Sequence, residues 1–311
     1  MKTVLITGVA GFLGRFTARQ FAREGWRVVG IDVASPENAQ LSPGTMYHRM
    51  QLPSPGLTDL LRALPPDVCV HCAGRASVPF SMKDPAADFR DNTVLTFELL
   101  DALRREAPRC HFLLLSSAAV YGNPASLPVA ETHRTGPLSP YGYHKLQCEL
   151  LCEEFTRIYA LPTTVVRIFS AYGPGLRRQV VWDICERALS SASLTLHGTG
   201  RESRDFVHAS DIARALVLLA SQSTANAEAY NLATGEETTI AQLADILLAA
   251  LLRDTKPTFD GQATPGNPLT WRADISKIRA LGFTPSVTLE QGLRSVATWA
   301  SAELADGFPS A

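Results

Sequence analysis

The feature that most constrains the fold is the alternation of β-branched runs with helical stretches through the first half of the 311-residue chain. Runs typical of buried strands lie at residues 3–7, 27–32, 67–71, 110–116 and 163–168, and helix-forming segments separate them. Strand–helix–strand units of this kind join parallel strands through right-handed crossovers. The sequence therefore predicts an α/β fold with a doubly wound parallel sheet.

The alternation of strands and helices is less regular in the second half of the chain. Shorter strands, helices near 210–221 and 238–252 and Pro/Gly-rich connections are predicted there, with Asp211 as the N-cap of the first of these helices. We therefore expect a nucleotide-binding domain over residues 1–172 and a smaller, mostly C-terminal, substrate-binding α/β region over residues 173–311.

Three glycines, Gly8, Gly11 and Gly14, connect the first predicted strand to the first predicted helix. In such a turn the bare backbone N–H groups, including those of Phe12 and Leu13, and the N-terminus of the helix can bind a pyrophosphate. The spacing is G-x-x-G-x-x-G, which on its own also suits a tight turn with close packing and no ligand. A dinucleotide is the interpretation that we test further.

Asp32 ends the second predicted strand, where a carboxylate can accept hydrogen bonds from the ribose hydroxyls of adenosine. It would repel a 2′-phosphate, and no arginine follows immediately to bind one. The cofactor predicted from these residues is therefore NAD and not NADP. The alternative is that Asp32 is a solvated acid in a loop.

A second pattern, Tyr141-Gly-Tyr-His-Lys145, opens an amphipathic helix and places Tyr141 and Lys145 one turn apart on the same face. An ammonium beside a phenol favours the phenolate, as a general acid/base requires. Ser116 and Ser117 end the strand before this helix, where α/β sheets bind their ligands. Their hydroxyls can bind a substrate oxygen or can cap backbone groups.

Bulk properties exclude several other classes. The 29 basic and 30 acidic residues are interspersed, so we expect neither a nucleic acid nor an anionic membrane as partner. The sequence contains no apolar run of about 20 residues, and its start suggests a strand and not a secretory signal, so a soluble, cytoplasmic protein is expected. The six cysteines are expected to be reduced, and Cys69-x-x-Cys72 lacks the partners of a metal site, so no metal is predicted.

The motifs occur in an order that resembles the extended short-chain dehydrogenase/reductase family, also called the NAD-dependent epimerase/dehydratase family. The resemblance covers nearly the whole chain and rests on T-G-x-x-G-F-x-G at 7–14, H-C-A-G at 71–74, S-S-A-A-V-Y-G at 116–122, S-P-Y-G-x-x-K at 139–145, R-I-F-S-A-Y-G-P-G at 167–175 and R-D-F-V-H at 204–208. It implies a Rossmann-type fold and an enzyme that uses NAD to act on the hexose of a nucleotide-diphosphate sugar.

The resemblance also implies roles for individual residues. The catalytic residues would be Ser117, Tyr141 and Lys145. The residues that contact NAD would be Gly8, Gly11, Phe12, Leu13, Gly14, Asp32, Ala73, Gly74, Asn92, Tyr141 and Lys145. The substrate would meet Ser77, Ser117, Ser170 and Arg204, of which Arg204 would bind the diphosphate, as guanidinium groups do well. The alternative for Arg204 is a solvated salt bridge with Asp205.

The residues after the serine indicate which reaction the family member performs. Dehydratases of the family carry an acidic pair there and decarboxylases carry a glutamate nearby, whereas this chain has Ala118 and Ala119. A 4-epimerase or a 4-keto-sugar reductase is left, and Asp32 favours the NAD-dependent epimerase. A non-catalytic NAD-binding sensor is the alternative from another class, because a fold alone does not prove an activity.

Three departures from the family pattern concern the substrate and cofactor contacts. Ser170 replaces the usual asparagine, residues 51–53 (Gln-Leu-Pro) replace an acid-containing motif, and residues 266–268 (Gly-Asn-Pro) replace a Gly-Asp-Pro. The family usually dimerises through the long helix before Cys110 and the helix that carries Tyr141. A homodimer is therefore expected by resemblance.

Overall fold

The computed structural model describes residues 1–191, 193–262 and 268–305. The strands are β1 Thr3–Thr7, β2 Arg27–Asp32, β3 Met46–Arg49, β4 Val68–His71, β5 His111–Ser117, β6 Thr163–Ile168, β7 Ser170–Tyr172, β8 Leu194–Leu196, β9 Ser203–Arg204, β10 Phe206–His208, β11 Asn226–Leu232, β12 Thr238–Thr239 and β13 Pro257–Phe259. The helices are α1 Phe12–Arg23, α2 Pro55–Ala63, α3 Val78–Lys83, α4 Pro85–Phe89, α5 Leu95–Glu106, α6 Pro140–Tyr159, α7 Gln179–Ser190, α8 Ala209–Gln222, α9 Ile240–Ala250, α10 Ser276–Ala280 and α11 Leu289–Ala305. A π-helical turn, Arg90–Val94, joins α4 to α5, and a 3₁₀ turn, Ala118–Val120, follows β5.

The centre of the fold is a seven-stranded, wholly parallel sheet in the order β11-β6-β5-β4-β1-β2-β3. This confirms the predicted α/β class with a doubly wound sheet. The strand order reverses beside β1, whose Val4 pairs with Val28 of β2 on one side and with Val68 of β4 on the other. In open α/β sheets, ligands bind at the carboxyl ends of the strands beside such a reversal.

Helices cover both faces of the sheet because side chains alternate along each strand. Val4 and Ile6 of β1 belong to a core with Phe21 of α1 and Leu216 of α8. Leu5, between them in sequence, faces a second core formed with α2, α5 and α6. A third, separate core joins α7, α9 and α11 in the smaller region.

The chain returns to the main sheet after residue 172. Strand β11 pairs with β6, and α8 packs against α1. The division into residues 1–172 and 173–311 stays a prediction, but the sheet itself takes its last strand from beyond that boundary. The helix predicted near 210–221 is α8, and its N-cap is His208, which accepts a hydrogen bond from Ser210. The prediction that Asp211 caps this helix is therefore wrong, because Asp211 lies inside the first turn and accepts hydrogen bonds from Ser286 and Val287.

Neither a membrane span nor a metal cluster was found in the described parts of the chain. No described helix is long and apolar enough to cross a membrane. The described residues also contain no group of three or more His, Cys, Asp or Glu side chains that could hold a metal ion. Cys69 is fully buried on β4, and burial raises its thiol pKa far above the usual range.

Candidate active site

The glycine-rich turn between β1 and α1 leaves no room for side chains. Gly8 has a φ of +69°, and a Cβ there would lie 2.7 Å from the backbone nitrogen of Ala73. A Cβ on Gly14 would lie 2.0 Å from the carbonyl oxygen of Gly8. The first position requires a residue that tolerates a positive φ, and the second brings the helix close against the turn. The turn is therefore packed as a phosphate-binding loop is packed.

The N-terminus of α1 has unused hydrogen-bond donors. Gly11 is its N-cap and offers no side-chain cap, so the first N–H groups of the helix, at Phe12 and Leu13, have no side-chain acceptor there. Orphan N–H groups at the positive end of a helix dipole bind anions. The turn thus suits a pyrophosphate, as predicted.

Asp32 connects the end of β2 to the glycine-rich turn. One carboxylate oxygen accepts a hydrogen bond from the Ala10 N–H at 2.9 Å, and the other accepts from Val33 at 2.7 Å and Ala34 at 3.2 Å. A carboxylate has about four lone-pair positions, so it can still accept from a ribose hydroxyl. Asp32 is therefore a structural link as well as a candidate ribose ligand.

Asn92 lies in the π-helical turn between α4 and α5, at the end of β4. Its side-chain N–H₂ donates to the carbonyl oxygens of Arg75 and Asp88, at 3.2 and 3.0 Å. Its buried side-chain oxygen lies against Gly74 and has no hydrogen-bond partner among the described residues. Buried acceptors are rarely left unpaired, and π-helical turns often occur at functional sites. The unpaired oxygen fits a ligand in the crevice beside Gly74 and Ala73.

Tyr141 and Lys145 lie on the first turns of α6, as their spacing predicts. Ser139 caps the helix by accepting from the Gly142 N–H, and the backbone of Gly142 packs against the carbonyl of Ala119. Tyr141 and Lys145 are only 7% and 6% exposed. No carboxylate among the described residues pairs with the Lys145 ammonium.

The positive charge of Lys145 affects the pKa values of two residues at the end of β4. Burial, and then repulsion from Lys145, lower the pKa of His71 to about 3. Burial raises the pKa of Cys72 to about 12, although the Lys145 charge opposes the rise. His71 accordingly stays neutral, with Nδ1 2.7 Å from the Thr7 hydroxyl. His71 is therefore a structural residue and not a base.

Ser117 ends β5, next to the start of α6. Its hydroxyl oxygen accepts a hydrogen bond from the Ala119 N–H at 3.1 Å, so it caps the 3₁₀ turn. The hydroxyl has no acceptor among the described residues, so it can donate a hydrogen bond to a ligand oxygen. Both predicted uses of this serine, capping and ligand binding, are thus compatible.

Ser116 has a different environment, since its side chain points to the opposite side of the strand. It donates to Glu149 of α6 at 2.5 Å. Arg167 of β6 makes hydrogen bonds of 2.7–3.2 Å with the same carboxylate and donates to the Tyr121 hydroxyl at 2.9 Å. Tyr121 in turn donates to Asn231 of β11. This buried network fixes β5, β6, β11 and α6 relative to one another behind the site.

Arg204 lies on β9, with its guanidinium 5.4 Å from the centre of the Trp271 ring. It donates to the carbonyl oxygen of Ser203 at 2.7 Å. Burial lowers the pKa of Arg204 to about 10, an effect that Glu202 partly offsets. Arg204 has no carboxylate partner within 4 Å among the described residues. It is therefore available to a phosphate group.

The alternative of a salt bridge between Arg204 and Asp205 is wrong. Asp205 is fully buried and accepts hydrogen bonds from the N–H groups of Thr234, Gly235 and Ala273 and from the Thr234 hydroxyl. Its carboxylate thus holds three backbone segments together beneath the site. Trp271, which supports Arg204, is held in turn by a hydrogen bond from its ring N–H to the Gly122 carbonyl.

The other residues predicted to contact the substrate, Ser77 and Ser170, differ in whether their hydroxyl groups already form hydrogen bonds within the protein. The Ser77 hydroxyl accepts from the Phe80 N–H and caps α3, whereas the Ser170 hydroxyl makes no hydrogen bond with any residue that the structure describes. Gln51, in the place of the usual acid-containing motif, is exposed and donates to the Leu52 carbonyl at 3.3 Å. Of the C-terminal departure, Gly266 and Asn267 lie outside the described residues.

Two residues of this cleft were not predicted from the sequence. Trp271 was not predicted because an isolated tryptophan is most simply interpreted as a residue of the hydrophobic core. Arg178 is the N-cap residue of α7 and donates to the Ala76 carbonyl across the cleft. A pair of basic residues, Arg177 and Arg178, shortly after the G-P-G turn was the available signal for it.

Taken together, the site can perform proton transfer beside a bound dinucleotide. The glycine-rich turn, Asp32 and the unpaired Asn92 oxygen lie at the carboxyl edge of the sheet, and so do Ser117 at the end of β5 and Tyr141 and Lys145 at the start of α6. Arg204 offers a desolvated cation at the outer end. The residues present thus fit a dinucleotide cofactor and an anionic substrate.

Comparisons with known proteins agree with this geometry. The model of the NAD dependent epimerase/dehydratase family matches residues 4–233. A putative UDP-glucose 4-epimerase of Methanocaldococcus jannaschii is 27% identical over 301 residues, covering 95% of this chain and 97% of that protein.

Solved structures show the same similarity. The UDP-glucuronic acid 4-epimerase from Bacillus cereus, in complex with UDP-glucuronic acid and NAD, is 28% identical with a TM-score of 0.88, covering 96% of this chain and 99% of that one. The UDP-glucose 4-epimerase of Thermotoga maritima, with UDP-glucose, is also 28% identical with a TM-score of 0.88, covering 97% and 99%.

Proposed function

The chain belongs to the NAD-dependent epimerase/dehydratase family, and from this membership we propose that it is an NAD-dependent nucleotide-sugar 4-epimerase acting on a UDP-hexose. The observation that carries the proposal is the position of Tyr141 and Lys145. Both are buried at the start of α6, beside Ser117, at the carboxyl edge of the sheet. Family members similar to this chain include UDP-sugar 4-epimerases.

NAD would be held by residues on three loops at the carboxyl edge of the sheet. The turn from Gly8 to Gly14 would bind its pyrophosphate and Asp32 its adenosine ribose. The backbone at Ala73 and Gly74 and the side chain of Asn92 would line the nicotinamide half, and Lys145 would reach the nicotinamide ribose. When bound, NAD supplies the redox chemistry, because it can accept a hydride, one proton with two electrons, from the sugar and return it.

The protein residues would control the proton. Tyr141 takes the proton from the C4 hydroxyl, and the Lys145 ammonium favours the phenolate that performs this step. Ser117 donates a hydrogen bond from its hydroxyl to the C4 oxygen and keeps that oxygen beside Tyr141. After the keto sugar has turned over, Tyr141 gives the proton back on reduction of the other face. The sugar therefore changes configuration with no net redox change.

The nucleotide would be held at the opposite end of the cleft. Arg204, which lacks a carboxylate partner, binds the diphosphate, and Ser77 and Ser170 line the path of the sugar. A guanidinium binds phosphate oxygens through paired N–H groups, so its charge is neutralised by the substrate.

Other reactions of the family remain the alternatives. Dehydration and decarboxylation need acidic residues that Ala118 and Ala119 do not supply. A 4-keto-sugar reductase would use the same Ser117, Tyr141 and Lys145 but would need reduced cofactor from outside. A non-catalytic sensor would need none of the three residues.

The test is to incubate purified protein, without added cofactor, with UDP-, dTDP- and GDP-hexoses and to separate the products by chromatography with mass spectrometry. A new peak of unchanged mass is expected. Loss of water or carbon dioxide would contradict the proposal, and so would product formation only with a keto sugar and reduced cofactor. Tyr141→Phe should lower turnover by about 10²- to 10⁴-fold while the protein keeps its NAD. A sensor would be indifferent to this change.

We also propose that the protein is a homodimer. Phe89, just before the π-helical turn, and Phe97 of α5 are exposed, as are Tyr143 and Leu150 of α6, which lie two turns apart on one face. Exposed aromatic and aliphatic side chains on adjacent helices are typical of a subunit interface. Leu150→Lys should convert the dimer to a chain of 33.7 kDa in light scattering. Leu252→Lys, which is 92% exposed elsewhere, is the control that should not.

A cytoplasmic location is proposed as well. The six cysteines form no disulfide, and five of them are buried, four of these in helices and strands. Thiols stay reduced in the cytoplasm. Fractionation of cells that produce the protein would test this location.

A further inference from the structure

Glu149 lies on the same face of α6 as Tyr141 and Lys145. The three residues are four positions apart along the helix, so their side chains follow one another at intervals of one turn. Tyr141, Lys145 and Glu149 are only 7%, 6% and 8% exposed. A lysine and a glutamate at this spacing can form an ion pair. The helix therefore places a carboxylate within reach of the ammonium that the proposed reaction needs.

This ion pair does not form, although both groups are buried. The Lys145 ammonium has no carboxylate within 4.0 Å among the described residues. One oxygen of Glu149 accepts hydrogen bonds from the Ser116 hydroxyl at 2.5 Å and from Arg167 Nε at 3.1 Å. The other oxygen accepts from Arg167 Nη2 at 2.7 Å and Nε at 3.2 Å. These contacts occupy about four lone-pair positions, so the carboxylate has no free acceptor for Lys145.

The Arg167 guanidinium is itself fixed from the opposite side. Its Nη1 donates to the Tyr121 hydroxyl at 2.9 Å and to the Glu131 carbonyl oxygen at 3.1 Å. The Glu131 carboxylate is directed elsewhere, since it accepts from the Asn231 N–H at 2.8 Å. Arg167 of β6 also lies opposite Ser116 of β5 in the sheet. Two paired strands therefore hold the Glu149 carboxylate at the sheet.

The other titratable groups near this face of α6 supply no free carboxylate. Asp88 of α4 pairs with His144 at 2.6 Å. Arg178, the N-cap of α7, is a second cation whose charge acts on Tyr141. The remaining groups on which the Lys145 charge acts are uncharged at neutral pH, because burial lowers the pKa of the imidazole and raises the pKa of the thiols; they are His71, Cys72, Cys148 and Cys152. Among the described residues, Glu149 is therefore the carboxylate that could compete with Tyr141 for Lys145.

We propose that Arg167 is a positioning residue of the reaction, which holds the Glu149 carboxylate at the sheet and thereby leaves the Lys145 ammonium to Tyr141. The proposal rests on the proposed 4-epimerase function, because that function makes the Tyr141 phenolate the base. Arg167 touches neither substrate nor cofactor in this role. It acts through Glu149, by deciding which cation that carboxylate pairs with.

Loss of the Arg167 charge should release Glu149 to Lys145. The ammonium is one helical turn away, and a buried ion pair is stronger than one in water because the local dielectric constant is low. A paired ammonium stabilises the phenolate less, so the phenolate should form only at higher pH. The acid limb of the pH–rate profile, which reports the base form of the free enzyme, should shift with it.

The experiment measures kcat/KM as a function of pH for the NAD-loaded protein with the UDP-hexose that it epimerises. Arg167→Gln should move the acid limb upward by about one pH unit. Activity on that limb should therefore fall about tenfold and return to within about threefold of the wild type at higher pH. Glu149→Gln combined with Arg167→Gln should bring the limb back to its wild-type position, because the competing carboxylate is gone.

Tyr121→Phe is the matched control, since it removes a hydroxyl from the same network but no charge. It should lower stability and leave the acid limb in place. A limb that moves equally in Tyr121→Phe and Arg167→Gln would overturn the proposal, because it would show an effect of packing. An Arg167→Gln variant with equal losses at every pH, or a double variant with an unrestored limb, would overturn it as well.

A milder substitution keeps the test decisive if Arg167→Gln does not fold. Arg167→Lys retains the charge, but a single ammonium cannot bind both carboxylate oxygens as the planar guanidinium does. The limb should move in the same direction by less than half as much, and Glu149→Gln in that background should cancel the shift. An unmoved limb in a folded Arg167→Lys variant that retains no Glu149 contact in a crystal structure would contradict the proposal.

A titration of Tyr141 without turnover separates this proposal from the proposed function. The phenolate is followed as the difference in near-ultraviolet absorbance between each protein and its Tyr141→Phe counterpart. Absence of epimerase activity would contradict the proposed function, but the phenolate should still form at higher pH in Arg167→Gln than in the wild type. Epimerase activity with identical phenolate titrations in the two proteins would overturn the role of Arg167 and leave the function intact.

Discussion

Glu149→Gln removes one charge from the buried network behind the candidate site while it preserves the shape of the side chain. Glu149 and Arg167 form hydrogen bonds of 2.7–3.2 Å, and their side chains are only 8% and 10% exposed. Burial alone would lower the pKa of Arg167, but the Glu149 carboxylate raises it overall. Loss of the carboxylate leaves a buried guanidinium without its counter-charge, which typically costs about 3–5 kcal/mol. We expect the free energy of unfolding to fall by that amount.

Glu153→Gln is the matched control on the same helix. Glu153 lies four residues later and pairs with Arg157 at 2.8 Å, but these side chains are 43% and 75% exposed. An exposed pair at this spacing is worth about 0.3–0.5 kcal/mol. Both variants would be unfolded in guanidinium chloride at pH 7, with the cofactor content matched, and followed by circular dichroism.

Equal shifts of the unfolding midpoint in the two variants would refute the reasoning, because burial is the only difference that it invokes. A second variant keeps the test decisive if Glu149→Gln fails to fold. Replacing both charges, as Glu149→Leu with Arg167→Leu, should recover most of the lost stability, since paired buried charges often contribute little net free energy. A double variant as unstable as the single one would show that the network acts through shape and not through charge.

Three further predictions concern the cofactor, the pH dependence and the substrate wall. Gly14→Ala places a Cβ 2.0 Å from the Gly8 carbonyl, so the purified protein should lose its NAD by chromatography, whereas Gly56→Ala, with 3.3 Å to a flexible methionine end, should keep it. His71 has a pKa of about 3 in the folded state, below its ordinary 6.5, so the free energy of unfolding is highest above pH 6.5 and decreases as the pH falls toward 3. Between pH 7 and pH 5, the free energy of unfolding of the wild type should therefore fall by about 2 kcal/mol more than that of His71→Gln, as measured by denaturant titrations. Asp205→Ala strands three buried N–H groups, so it should lower the free energy of unfolding by at least about 3 kcal/mol and weaken UDP in calorimetry, and unchanged UDP binding would contradict the role of this wall in supporting Arg204.

Five strands of the main sheet could be predicted well because they are buried on both faces. Continuous apolar, β-branched runs mark β1, β2, β4, β5 and β6, and the predicted bounds of β4 and β5 differ from the structure by one residue. Strand β3, Met46–Arg49, lies at one edge of the sheet and carries no such run, because its side chains are exposed or half-buried. Strand β11 carried no such signal, since Asn226–Leu232 is rich in alanine and asparagine and pairs at the sheet edge with β6 alone. Its place in the sheet comes from a partner more than fifty positions earlier, which local patterns do not encode.

Local spacing also predicted which residues lie close together at the site, provided that they belong to the same helix or the same turn. Tyr141 and Lys145 share a helix face, and Gly8 and Gly14 share a turn. The salt bridge expected between the adjacent residues Arg204 and Asp205 does not form, because successive side chains of an extended chain point to opposite sides. Asp205 turns into the core and Arg204 faces the cleft, so neighbours of opposite charge form no pair.

The charges of the cleft show why the substrate class could not be derived from composition. Basic and acidic residues are nearly balanced over the chain, but neutralisation depends on contacts between distant positions, such as Arg75 with Asp91 and Arg177 with Glu303. Arg178 and Arg204 are left without such partners in the described structure, so both can bind an anionic group. The distribution of unpaired cations, and not their number, therefore favours an anionic substrate over a neutral one.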